Sequence, residues 1–132
     1  MKQFVIPYIM YKDSKAASEY YISVFGGNVR YVMYGKDMPN CPEDQLERIM
    51  HLEYVVNDTL FYMGDTEIQD QGRIQLHLSY TSKEDMIKSF NNMKADGEVL
   101  QELKEEFWGA VFGVIKDQFG VTWQFHFRKP NE

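Results

Sequence analysis

Two-residue alternation of apolar and polar side chains marks the segments that read as strands. In "VTWQFHF", Val121, Trp123, Phe125 and Phe127 share one face, and Thr122, Gln124 and His126 share the other. In "RIQLHLSY", Ile74, Leu76, Leu78 and Tyr80 lie opposite Arg73, Gln75, His77 and Ser79. Elsewhere the period becomes helical. "KDSKAASEYYISVFGG" carries an apolar stripe of Ala17, Tyr20, Tyr21, Val24 and Phe25, with Ser14 as the expected N-cap and Gly26-Gly27 as the stop. "TSKEDMIKSFNNMKADG" carries a second stripe of Met86, Ile87, Phe90 and Met93. Ser82 is its expected N-cap, Asp85 stands three residues later, and Gly97 closes it.

The order of these elements repeats. "FVIPYIMY", the first helix, "NVRYVMY", the loop "GKDMPNCPEDQLE", "RIMHLEYVV", a turn at Asn57-Asp58 and "TLFYMGD" form one series. "RIQLHLSY", the second helix, "EVLQEL", the short loop "KEEFW" and the two strands of "FWGAVFGVIKDQFGVTWQFHF" form the next. Each half, about 1–66 and 72–128, reads βαβββ. The predicted fold is therefore α+β, a single domain over 1–132 built from two tandem βαβββ modules. In each, a helix covers one sheet face and leaves the other free to line a cleft.

A 132-residue chain with 44% hydrophobic and 15% aromatic residues can close a core without staples. Most of its eight methionines are expected as core filling. Its net charge of -6, with no run of Lys and Arg, argues against a phosphate-backbone partner. No window approaches the ~18–20 apolar residues of a membrane span, and the N-terminus reads as a strand rather than a signal peptide. The single cysteine, Cys41, has acidic and polar sequence neighbours, unsuited to lowering a thiol pKa. A cytoplasmic protein without nucleic-acid or membrane partners is the expectation.

The polar strand faces admit three readings: a solvated sheet surface, the wall of a binding cleft, or a metal site. A metal site needs converging imidazole, carboxylate or thiolate donors, for which His51, His77, His126 and Glu53 are the candidates. His51 and Glu53 share a strand face, where a His–carboxylate pair suits acid–base work. Residues two apart on a strand stand about 7 Å apart by rise, so contact is not implied and a structural role is favoured.

The double βαβββ pattern resembles the vicinal oxygen chelate superfamily of glyoxalase I, bleomycin-resistance proteins and extradiol dioxygenases. "EYYISVFGGNV", "MPNCPEDQLERIMHLEYVVNDTLFYMGD" and "FWGAVFGVIKDQFGVTWQ" are similar to its PhnB-like branch, the 3-demethylubiquinone-9 3-methyltransferase-like domain family, over nearly the whole chain. The resemblance implies a cup-shaped mixed sheet (the glyoxalase/bleomycin resistance/dioxygenase fold) and a homodimer. It also implies metal ligands on the first, fourth, fifth and eighth strands, usually His or Glu. In this sequence those positions fall at Ile6 or Pro7, Tyr62, Gln75 and Gln124, none of them a strong ligand. The expectation is a small-molecule-binding protein without a catalytic metal or other cofactor, its cleft lined by Tyr62, Gln75, His77, Thr122, Gln124 and His126. The first alternative is a divalent-metal lyase, isomerase or dioxygenase with a shifted site at His77, His126 and Glu53; the second is a structural or regulatory dimer. Whether a reaction is catalysed stays open. The branch's methyltransferase label finds no glycine-rich strand-to-helix turn with a following acidic residue, since Gly26-Gly27 follow a helix.

Overall fold

Strand order in the computed structural model is β1-β4-β3-β2 in one sheet and β5-β8-β7-β6 in another. The structure describes residues 3, 5–67, 74–106 and 110–128. The first sheet comprises β1 (Tyr8–Tyr11), β2 (Asn28–Tyr34), β3 (Ile49–Val56) and β4 (Thr59–Asp65), with helix α1 (Ser14–Phe25). The second comprises β5 (Gln75–Tyr80), β6 (Glu98–Glu105), β7 (Ala110–Lys116) and β8 (Thr122–Arg128), with helix α2 (Lys83–Lys94). In each sheet the outer pair, β1–β4 or β5–β8, is parallel and the remaining pairs are antiparallel. The α+β architecture of two βαβββ modules is thus observed. The chain divides into two compact units, Met1–Asp70 and Gln71–Glu132. Phe4, Arg73 and residues 107–109 of the quoted motifs lie outside the described residues.

In the first unit, Ala17, Tyr21 and Val24 of α1 are buried, as are Leu52, Tyr54, Phe61 and Met63 of the sheet. The Tyr21 and Tyr54 rings stack at 6.4 Å. Tyr54 Oη donates to the Gly26 carbonyl at 2.8 Å, satisfying an acceptor that the end of α1 leaves unpaired. Gly26 and Gly27 take φ of 86° and 82°, the left-handed turn that leads from α1 into β2. Asp13 rather than Ser14 caps α1: its carboxylate accepts from the Ala16 amide at 3.0 Å. Ser14 is instead the first helical residue, and its amide donates to Asp65 Oδ1 at 2.8 Å. A carboxylate one residue upstream outcompetes the hydroxyl because its negative charge also complements the helix dipole.

In the second unit, Met86, Phe90 and Met93 pack inward, and Phe90 meets Phe125 edge-on at 5.2 Å. Ile87 departs from the expected stripe and is 37% exposed, because it lies at the margin of the arc that faces a single sheet. Ser82 caps α2 as expected, accepting from the Asp85 amide at 3.2 Å. The helix ends at Lys94, and the Gly97 amide donates to the Met93 carbonyl at 2.9 Å.

The β7–β8 turn hangs on Asp117, which is 4% exposed. Its Oδ1 accepts from the amides of Phe119 (2.9 Å) and Val121 (3.0 Å), and its Oδ2 from Trp123 Nε1 (2.8 Å). The Asp and Trp of "DQFGVTW" therefore form one structural clamp that fixes where β8 begins.

Candidate functional site

β8 presents Trp123, Phe125 and Phe127 to the buried side, leaving Thr122, Gln124 and His126 half-buried on the opposite face. β5 lies parallel beside it with Gln75 opposite Thr122, His77 opposite Gln124 and Ser79 opposite His126. The slanted register of a parallel pair lets side chains bridge diagonally as well as directly. Gln124 Nε2 donates to Gln75 Oε1 at 2.8 Å. Gln124 Oε1 and His77 Nδ1 are also 2.8 Å apart. An amide oxygen only accepts, so Nδ1 of His77 carries a proton, and in the neutral ring Nε2 keeps a lone pair that can accept. Gln75, Gln124 and His77 thus form one directed row, with amide N–H donors at the Gln75 end and an imidazole acceptor at the His77 end.

His126 extends this row. Its ring lies 5.0 Å from that of His77. Burial, then the neighbouring His77 and Arg128, holds its pKa below the usual histidine value, so the ring favours the neutral form. On β7, Phe112 stands in register with His126 and Val114 with Gln124, which gives the row an apolar flank. Phe112 meets His126 edge-on at 6.4 Å. Neither residue was expected at the site, because "AVFGVIK" is apolar on both faces and alternation cannot sort it.

Tyr62 belongs to the first unit, on the face of β4 that bears Leu60, in register with Tyr8 and Glu53. There the structure brings together residues that the sequence left apart. His51 Nε2 lies 2.9 Å from Glu53 Oε2, so the strand neighbours are in contact. Arg30 Nε donates to Glu53 Oε1 at 2.6 Å, placed there by a register shift between Val29 and Tyr31. Tyr8 Oη is 3.2 Å from His51 Nδ1. Hydrogen bonds from Arg30 and then His51 hold the Glu53 pKa below the ordinary carboxylate value. The shifted metal site at His77, His126 and Glu53 draws on both units, and both oxygens of its carboxylate are already engaged. Within either unit, no three His, Cys, Asp or Glu among the described residues are grouped to hold a metal.

This arrangement of paired βαβββ units is that of glyoxalase-type folds. The family described as 3-demethylubiquinone-9 3-methyltransferase matches residues 3–126, and the chain belongs to it. Escherichia coli protein YjdN is 24% identical over 135 residues, covering 91% of this chain and 92% of YjdN. Among solved structures, Pseudomonas aeruginosa protein PA1353 is 25% identical with a TM-score of 0.86, covering 98% of this chain and all (100%) of that one. A PhnB protein from Bacillus cereus is 18% identical with a TM-score of 0.78, over 95% of this chain and 99% of that one. The fold also recurs in a glyoxalase-related enzyme from Fulvimarina pelagi, 14% identical with a TM-score of 0.67, over 97% and 89% of the two chains.

Proposed function

We propose that the protein binds a small polar molecule on the free face of the second sheet, through Gln75, His77, Gln124 and His126, without a catalytic metal. The directed row from Gln75 through Gln124 to His77 carries this reading. A merely solvated face would satisfy its amides with water. Here three side chains are held in fixed orientation, which lowers the entropy that a ligand must otherwise overcome. The superfamily's ligand positions support the neutral reading. In the second unit Gln75 and Gln124 each use their carbonyl oxygen on a neighbour, leaving no anionic donor to offset dehydration of a divalent cation. Tyr62 adds a phenol and Ile6 an alkyl group. These residues do not fit such an ion.

Thr122, in register with Gln75, borders the row and belongs to the same proposal. A cytoplasmic homodimer completes it, supported by the family resemblance and the single cysteine. No helix among the described residues is long and apolar enough to cross a membrane. The test is a thermal-shift panel of small organic acids and aromatic amides on wild type and Gln124→Leu, with metal analysis of protein purified without chelator. A ligand at ~100 times its Kd contributes about 2.7 kcal/mol, and Gln124→Leu should remove most of the resulting shift. A panel without a single response, or stoichiometric metal that disappears in His77→Ala, would sink the proposal.

A further inference from the structure

On the first sheet, Arg30, Glu53, His51 and Tyr8 form an unbroken hydrogen-bonded chain ending at a phenol. Its direction follows from donor and acceptor chemistry. The Glu53 carboxylate, hydrogen-bonded to Arg30, can only accept, so in the neutral form of the His51 ring the proton lies on Nε2, 2.9 Å from Glu53 Oε2. His51 Nδ1 then offers a lone pair, and Tyr8 Oη, 3.2 Å away, donates its proton to it. With that proton engaged, the phenol oxygen presents only lone pairs outward. The interior of the chain is covered: the side chains of His51 and Glu53 are 19% and 16% exposed. Its terminus is open, for Tyr8 is 50% exposed. Rings surround the imidazole, with Tyr62 at 4.5 Å, Tyr8 at 5.6 Å and Tyr31 at 6.2 Å.

We infer that Tyr8, driven by the His51–Glu53–Arg30 relay, is a proton-accepting residue for a flat ligand carrying an acidic O–H, a phenol or an enol. The ligand must bring the donor, because the outward-facing atom can only accept. The Tyr62 ring, its centroid 5.4 Å from that of Tyr8, and half-exposed Met10 offer its body an apolar flank. In the step, the ligand proton passes to Tyr8 Oη as the Tyr8 proton passes to His51 Nδ1. The products are the ligand anion and an imidazolium with Glu53 as counter-ion; no other reactant is consumed. Tyr8 touches the ligand, whereas His51, Glu53 and Arg30 are positioning residues. This site lies in the first unit and does not rest on the ligand proposed for the second.

Tyr31 supplies an internal control, since at 49% it is as exposed as Tyr8 and it lacks the Tyr8–His51 bond. The full-length protein is treated with phenylmethanesulfonyl fluoride, and sulfonylation at the two tyrosines is timed by mass spectrometry. In that reaction the phenol oxygen displaces fluoride at sulfur while its proton passes to His51. Tyr8 should react at least about tenfold faster than Tyr31, by the general-base activation expected of a positioned imidazole. Glu53→Gln should bring the ratio near one, and Arg30→Gln should lower it less. Excess 4-nitrophenol should protect Tyr8, whereas 4-nitroanisole, which lacks the O–H, should not. Equal rates at Tyr8 and Tyr31 in wild type, needing no variant to fold, would overturn the relay. Equal protection by both aromatics, or protection by neither, would overturn the ligand class.

Discussion

Replacing Asp117 by Asn changes one heavy atom and disrupts the turn that sets β8. The carboxylate accepts two backbone amides on Oδ1 and the Trp123 indole on Oδ2, all within 2.8–3.0 Å. An asparagine can keep its oxygen toward the amides, but its NH2 then faces the indole N–H, donor against donor. Turned over, it faces two backbone donors, which is worse. The better orientation leaves one buried donor unsatisfied, at roughly 1–3 kcal/mol, and weakens two charge-assisted bonds. The expected loss is therefore on the order of 2–4 kcal/mol, read as a lower urea midpoint with unchanged slope. Trp123→Phe removes the opposing indole donor, so in the double variant Asp117→Asn/Trp123→Phe the clash is gone. Its loss should fall short of the sum of the single losses by about 1 kcal/mol or more. An Asp117→Asn variant within about 0.5 kcal/mol of wild type, or strictly additive losses, would refute the clamp.

Two further outcomes are expected. The His126 ring proton should titrate in an NMR pH series below the ordinary histidine value of 6.5, and His77→Gln should move it partly back up, burial being the larger cause. Its unfolded form takes up a proton first as pH falls, so this group lowers stability from about pH 6.5 down through the depressed folded pKa, and no further below it. His126 titrating at or above 6.5 in the folded protein would contradict the geometry. Gly113→Ala should cost roughly 1–3 kcal/mol in urea unfolding. Its Cβ would stand 2.8 Å from Phe90 Cε2 and 2.9 Å from Leu103 Cδ2 on the side covered by α2, and a neutral result would mean that this packing is loose.

How much of this was legible follows from where a side-chain pattern has one cause. β5 and β8 each have one face toward the helix-packed side, so alternation separated Gln75, His77, Gln124 and His126 from their apolar neighbours correctly. β7 is apolar on both faces, which hid Phe112 and Val114. "FVIPYIMY" shortened to Tyr8–Tyr11 because Pro7 has no N–H for a ladder, although its carbonyl accepts from the Tyr62 amide at 2.9 Å. Rise along a strand separated His51 from Glu53, yet their side-chain tips meet at 2.9 Å. Arg30 reaches Glu53 across a register irregularity that no periodicity announces. The role of Asp117 was not drawn from the sequence, although turn chemistry offers the signal: an Asp at the start of a tight turn accepts the amides that follow it.

The two sheets share a topology but distribute charge in opposite ways. Tyr8 pairs with Tyr62 across the parallel edge of the first sheet, and His77 pairs with Gln124 across that of the second. The decisive difference lies on the next strand. β3 adds His51 and Glu53 to its face, which draws in Arg30 as counter-charge, whereas β7 adds Phe112 and Val114. An ionised carboxylate fixes tautomers outward from itself and therefore drives a proton relay. Neutral amides against apolar neighbours fix only orientation and therefore favour recognition. On this reasoning Glu53→Gln should abolish the proton chemistry of the first face while leaving ligand response on the second untouched, and Gln124→Leu should do the reverse.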